Sequence, residues 1–322
     1  MKAYVLTDQG PRLTDHPEPT PRPTELRVRV RAAALNRVDL AMLHGHVHGG
    51  AGGRGAVLGV EFAGEVDAVG ADVRDVKVGQ RVMCSGAGGF AEYAVVDAAR
   101  VLAVPETLDF TEAATLPVAL QTMHDAIVSN GLLTPGQTVL VQGASSGVGL
   151  MALQIAKLRG ARWVAGSSTD PERRTKLGAF GADLAFDSRD PAWVEQVLAG
   201  TDGQGVDLVI DQVSGALFNA TLRATRVQGR IVNVGRLGGN SGEIDFDLHA
   251  MRRIQYVGVT FRTRSRDELR AITRRVRDDL SEAVAQKQLA LPVDRVYPLA
   301  EIVPALEHMR QNRHFGKIVV AV

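Results

Sequence analysis

Residues Val139-Leu140-Val141-Gln142-Gly143-Ala144-Ser145-Ser146-Gly147-Val148-Gly149 run directly into Leu150-Met151-Ala152-Leu153-Gln154-Ile155-Ala156-Lys157. An apolar segment suited to a buried strand, a glycine turn, and a segment with Val148, Met151, Ala152, Ile155 and Ala156 on one stripe predict strand, turn and amphipathic helix. Glycines at 143, 147 and 149 leave the turn without Cβ atoms. Backbone N–H groups at the helix start can then approach a diphosphate, whose charge the helix dipole favours. The spacing Gly143-x-x-x-Gly147-x-Gly149 departs from the common G-x-G-x-x-G. Its place between strand and helix nonetheless predicts a dinucleotide cradle built from Gly143, Ser145, Ser146, Gly147, Val148 and Gly149.

The next strand ends in Gly166-Ser167-Ser168-Thr169. At that distance past the glycine turn an NAD enzyme places Asp or Glu on the ribose hydroxyls. Serines stand there instead, and Arg173, Arg174 and Lys176 follow shortly after. Ser167, Ser168 and Arg173 are therefore expected to hold a 2′-phosphate by charge-assisted hydrogen bonds, favouring NADPH over NADH. The competing reading makes these cations the wet face of a short helix.

A chain of 322 residues accommodates two domains and a large buried core. Its single cysteine, Cys84, excludes an intrachain disulfide framework and any zinc site needing two thiolates, and reads as a buried thiol. A net charge of +1 gives no general attraction to nucleic acid. The arginine-rich stretch 252–277 is interleaved with acids at 267, 268, 278 and 279, and between Asp267 and Lys287 Leu269, Ile272, Val276 and Leu280 recur at helical spacing, so the arginines mostly coat a solvated face. No segment resembles a membrane span or a secretory leader, which leads us to expect a cytoplasmic protein.

Before residue 120 the chain shows short β-like runs at 25–31, 64–69, 81–84 and 91–96, separated by Pro and Gly turns. The proline-bearing stretch 11–23 reads as an extended surface turn. From 138 onward, strands at 138–142, 161–166, 182–186, 206–211, 229–234 and 254–260 alternate with helices, the pattern of a doubly wound parallel sheet. A tail with a strand at 293–297, a helix at 300–311 and a strand at 317–322 is expected to return to the first domain. The expected domains are thus 1–121 with 263–322, and 122–262, with a cleft between them.

The segments Ala32-Ala33-Ala34-Leu35-Asn36-Arg37-Val38-Asp39, Leu58-Gly59-Val60-Glu61-Phe62-Ala63-Gly64, Val78-Gly79-Gln80-Arg81-Val82, Gly89-Phe90-Ala91-Glu92-Tyr93 and Phe315-Gly316-Lys317-Ile318-Val319, together with the glycine turn, resemble the medium-chain dehydrogenase/reductase superfamily. Within it the chain is most similar to the zinc-free quinone oxidoreductases. The resemblance implies an α/β fold, a Rossmann doubly wound parallel sheet plus a GroES-like β-barrel domain. The zinc alcohol dehydrogenases of that superfamily carry cysteine and histidine where this chain has Asn36 and Val60, so no metal is expected. The zinc-free branch sends hydride from NADPH to a quinone, an enone or another conjugated carbonyl, and that is the chemistry implied.

By the same resemblance Asn36 would bond the substrate carbonyl or the cofactor's carboxamide, and Asp39 would orient the local backbone. Thr122 would touch the nicotinamide, Val234 and Gly235 would lie by its ribose, and Lys317 would help hold phosphate. Enoyl-thioester reductases of the superfamily carry a tyrosine where this chain has Val47, which weakens an enoyl-CoA assignment. The proton is then left to water, a ribose hydroxyl chain or a histidine. His44, His46 and His48 alternate in a glycine-rich loop, and His46 and His48 are the candidate catalytic donors; an exposed loop or a metal site are the other readings. The alternative function is an NADPH-binding redox-sensing or structural protein with little turnover. A homodimer is expected, because the strand at 254–260 would lie at a sheet edge with its apolar run exposed.

Overall fold

A computed structural model describes residues 1–322. The chain forms two compact units, Met1–Gln121 with Phe261–Val322, and Thr122–Thr260. The return crossing thus falls two residues ahead of the expected 262/263 boundary. No helix is long and apolar enough to cross a membrane.

The first unit is built on a seven-stranded sheet. Its order is Val293–Pro298, Lys317–Ala321, Glu25–Ala34, Glu61–Val69, Arg81–Ser85 and Val101–Ala103, with Tyr93–Asp97 also paired to Glu25–Ala34. The C-terminal strand is therefore an interior strand, antiparallel to Glu25–Ala34 with Val320 opposite Ala33. Strand Glu25–Ala34 alternates as far as Ala32, so Leu26, Val28 and Val30 enter a core shared with Phe62, Val82, Ile318 and Val320. Cys84 lies in this core, where burial pushes its thiol pKa upward. The stretch expected as a surface turn is partly a strand. Gly10–Asp15 forms an antiparallel hairpin with Lys2–Thr7, and Pro11 fits because this two-stranded ribbon leaves an edge where no ladder donor is needed.

The second unit is a six-stranded parallel sheet. Its strands are β1 (Thr138–Gln142), β2 (Trp163–Ser167), β3 (Leu184–Phe186), β4 (Val206–Asp211), β5 (Thr225–Asn233) and β6 (Gln255–Gly258). Its helices are α1 (Gly147–Leu158), α2 (Pro171–Lys176), α3 (Trp193–Ala199), α4 (Phe218–Ala224) and α5 (Phe246–Arg252). The order β3-β2-β1-β4-β5-β6 runs outward from β1 in both directions. The strand order reverses between β1 and β4, which makes their carboxyl ends the natural ligand crevice of this architecture. Every residue of β1 is buried, as expected of a parallel strand covered on both faces. Helix α1 buries Leu150, Met151, Leu153 and Ile155 against the sheet, fixing its first turn over the end of β1.

Candidate functional site

Backbone geometry explains the glycines of the β1–α1 turn. Gly143 has φ +75°, a left-handed value that strains any other residue. A Cβ on Gly149 would lie 2.5 Å from the Gly143 carbonyl oxygen, so the helix sits directly on the loop beneath it. Ser146 caps α1: its Oγ accepts from Gly149 N at 3.0 Å and lies 3.0 Å from both Gly143 O and Gln212 Oε1. Leu150 N donates to Ser146 O. The N–H groups of Gly147 and Val148 are thereby left as the orphan donors of the first turn, at the positive end of the helix dipole. Gln142, wholly buried at the end of β1, has no hydrogen-bond partner for its Nε2. A diphosphate fits this loop: it supplies acceptors where the fold leaves donors open, and the glycines give it room.

The two serines expected at the 2′-phosphate have different environments. Ser167, only 1% exposed, accepts from Gly143 N at 2.9 Å and donates to Gln142 Oε1 at 2.6 Å. Its hydroxyl ties β2 to the glycine turn, so Ser167 is corrected from a phosphate ligand to an internal staple. Ser168 Oγ lies 2.9 Å from the half-buried Ser145 Oγ, which places these two hydroxyls together above the end of β2. Arg173 is the third residue of α2, its N–H donating to the cap Asp170, with its side chain 12% exposed and Nε 3.7 Å from Asp170.

Sequence inspection did not single out the polar knot at the ends of β4 and β5. Val234 N and Gly235 N both donate to Asp211 O, and a Cβ on Gly235 would lie 2.8 Å from Gln212 O. Asp211 accepts from Val213 N, Ser214 N and Ser214 Oγ, while Asn233 Nδ2 donates to Ser214 Oγ. Gln212 Nε2 reaches Gln142 O at 3.2 Å, joining the floor of the crevice. The available signal was a polar residue, Gln142, Asp211 or Asn233, directly after the apolar run that ends each of three strands. Thr122 begins this unit, half-buried on the helix Pro117–His124.

In the first unit Asn36 belongs to a buried cluster of charges. Lys317 Nζ donates to Glu61 Oε2 at 2.6 Å and to Asn36 Oδ1 at 2.9 Å. Asn36 Nδ2 donates to Glu61 Oε2 at 2.9 Å and to Ala34 O at 3.3 Å. Glu61 Oε1 accepts from Val118 N at 2.6 Å. Lysine can only donate and carboxylate only accept, so the amide orientation is forced. Both amide hydrogens of Asn36 are spent. It cannot donate to a substrate carbonyl, which corrects half of its expected role; one lone pair of Oδ1 remains to accept. Lys317 is likewise corrected from a phosphate ligand to the partner of Glu61. Asp39 Oδ2 accepts from Asn36 N at 2.6 Å and Asp39 N donates to the Asn36 backbone carbonyl, while the buried Asp39 Oδ1 has no partner. Burial raises the Asp39 pKa to about 7 against the opposing pull of the Asn36 amide and Lys317.

The histidine loop forms a small hairpin, with Val47–His48 paired to Ala51–Gly52. His44, His46 and Val47 are exposed, and His48 is half-buried. Burial, then the Arg262 charge, lowers the His48 pKa and favours its neutral form. No group of three or more His, Cys, Asp or Glu side chains is arranged to hold a metal ion.

A β-sheet unit and a doubly wound unit with a dinucleotide-type loop define a two-unit oxidoreductase. Residues 22–106 match the alcohol dehydrogenase GroES-like domain, and residues 147–278 match the zinc-binding dehydrogenase family. The fold is similar to a solved NAD-dependent alcohol dehydrogenase, at 30% identity and TM-score 0.85 over 100% of both chains. It is also similar to a mycobacterial quinone oxidoreductase, at 26% identity and TM-score 0.86, and to a mycobacterial protein solved with NADPH, at 25% and 0.88, each over 100% of both chains. The chain belongs to the medium-chain dehydrogenase/reductase superfamily. A Mycobacterium tuberculosis phenolphthiocerol/phthiocerol polyketide synthase subunit is 31% identical over 90% of this chain, which spans only 13% of that relative's length.

Proposed function

We propose that this oxidoreductase is a zinc-independent, NADPH-dependent reductase of quinones, enones or other conjugated carbonyls. The observation that carries this reading is the Asn36–Glu61–Lys317 cluster. At the position where zinc relatives place a cysteine ligand, the chain holds an asparagine whose Oδ1 already accepts from a resident ammonium. A metal cation beside Lys317 would meet like charge and a poor ligand. Reduced nicotinamide, when bound, supplies hydride to an electron-poor carbon.

The chain's own residues bind and orient. Gly147 and Val148 N–H groups would receive the diphosphate, with Ser145 and Ser168 near the adenosine ribose and Val234, Gly235 and Thr122 toward the nicotinamide end. The free lone pair of Asn36 Oδ1 suits the N–H of a carboxamide and would orient the ring. Neutral His48 carries one N–H able to donate to the oxygen that gains charge, and His46 would assist only if its exposed loop closes over substrate. The polyketide synthase relatives, and a solved enoyl reductase at 25% identity, favour an enoyl thioester within the enone class. A cytoplasmic homodimer completes the proposal, since β6 is an edge strand with Tyr256 47% exposed and Phe246 in the preceding helix 73% exposed.

The test is NADPH and NADH oxidation by the purified protein against quinones, enones and an enoyl thioester, with and without a chelator. Turnover with NADPH that survives chelation is expected. Nucleotide binding without turnover on any acceptor would favour the redox-sensing or structural alternative. Loss of activity on chelation, restored by zinc, would end the metal-free reading, and light scattering showing only monomer would end the dimer.

A further inference from the structure

We infer that Arg189, brought in by the loop after β3, is the cation that reads the adenosine 2′-phosphate, held in place by Asp187. This rests on the dinucleotide reading above and names a residue of that same site.

The ribose of a dinucleotide falls at the exit of the second strand. Here that exit, Ser168-Thr169, is gripped from outside by two guanidinium groups: Arg174 Nη1 donates to Ser168 O at 2.9 Å and Arg189 Nη2 donates to Thr169 O. Asp187 joins them. Its Oδ2 accepts from Arg174 Nη1 at 3.1 Å and Arg189 Nη2 at 2.8 Å, and its Oδ1 from Arg189 N at 2.9 Å and Arg189 Nε at 3.1 Å.

Two consequences follow from counting groups. Asp187 has about four acceptor directions and all four are filled, so it cannot take the 2′- and 3′-hydroxyls of an NADH ribose as an NAD-type acid would. Two cations share one carboxylate, which leaves net positive charge at the exit. Arg189 spends three of its five N–H groups on Asp187 and Thr169, and its Nη1 pair stays open. Its side chain is 68% exposed yet pinned at several atoms, so little rotamer freedom is lost when an anion binds. Arg173, the cation nearest in sequence to the serines, is only 12% exposed and lies against Asp170. The hydroxyls of Ser145 and Ser168 lie beside the same exit; Ser168 Oγ donates its one hydrogen to Ser145 Oγ, which leaves the Ser145 O–H to donate to the same phosphate.

Calorimetric titration of the full-length protein with 2′,5′-ADP and 5′-AMP tests this without any hydride chemistry. Wild type should bind 2′,5′-ADP at least tenfold more tightly than 5′-AMP. R189A should lose about 10- to 100-fold for 2′,5′-ADP and change less than about twofold for 5′-AMP. R189K should recover part of the loss, and R173A should stay within about threefold of wild type. Thermal melts check that each variant folds. If wild type discriminates and R189A discriminates equally well, or if R173A carries the loss instead, the assignment to Arg189 is wrong while NADPH preference stands. If wild type shows no preference between the two probes, the NADPH reading fails at its source.

Discussion

The glycine turn of the second unit and the Asn36 cluster of the first solve opposite problems. The turn is made of neighbours in sequence, carries no charged side chain, and is held by a cap and two internal serine bonds. Its demands fall on the backbone, where a Cβ at 149 has no space. The cluster brings Lys317 to Glu61 and Asn36 across separations of 256 and 281 positions and buries charge in doing so. Local constraint leaves a spacing in the sequence. Long-range compensation leaves isolated polar residues whose partners are unreadable until the chain is folded.

The comparison breaks most visibly at Lys317. Its Nζ is bonded to a carboxylate that is itself 0% exposed, so Lys317→Met would strand the Glu61 charge and should cost about 3–5 kcal/mol in chemical denaturation. The double variant K317M/E61Q should recover much of that, because removing both charges is cheaper than orphaning one. If K317M costs less than about 1 kcal/mol, the cluster is not a buried ion pair in solution.

The pH dependence of Asp39 comes next. Burial pushes its carboxyl up to about 7 in the folded state, against an ordinary value of 3.8, so the folded state holds the proton more tightly than the unfolded chain. Stability is therefore fully present below about pH 4, declines as pH rises toward 7, and levels off above it, by on the order of 4 kcal/mol. Asp39→Asn keeps an acceptor for the cap and removes the titration. Denaturation midpoints across pH 4 to 8 should flatten in that variant, and an unchanged slope would assign the dependence to other groups.

These two regions also mark how far the sequence was legible. Alternating strands and helices from 138 onward placed the sheet, because a parallel strand buried on both faces must be apolar throughout, as β1 is. The same uniformity hid that Ser167 bonds inside the fold: β2 is buried along nearly its whole length and offers no alternation to count. The segment Gly59-Val60-Glu61 drew attention through Val60, while the residue with structural consequence was Glu61. A lysine in a dinucleotide enzyme suggests phosphate, and only the strand register placing Lys317–Ala321 beside Glu25–Ala34 reveals its carboxylate partner. Arg189 had no signal at all, since its relation to Thr169 is made by a loop from the neighbouring strand.

A smaller and sharper test lies in the turn itself, because two effects there have opposite sign. Alanine has the higher intrinsic helix propensity, so Gly149→Ala in the first turn of α1 would stabilise an unconstrained helix by up to about 1 kcal/mol. The Cβ would meet Gly143 O at 2.5 Å and the Ala144 backbone at 2.7 Å, contacts with no flexible side chain to yield. Overpacking of this kind costs about 1–3 kcal/mol, so it should win. The expected result is a net loss of about 1–2 kcal/mol together with weaker nucleotide binding, since the loop must shift away from the N–H groups of Gly147 and Val148. Gly178, in the short turn after α2, has no atom within 4 Å of a Cβ and an ordinary backbone, so Gly178→Ala is the matched control and should be neutral or stabilising. Were G149A to melt as high as G178A and bind nucleotide normally, the close contact between helix and loop would not exist in solution.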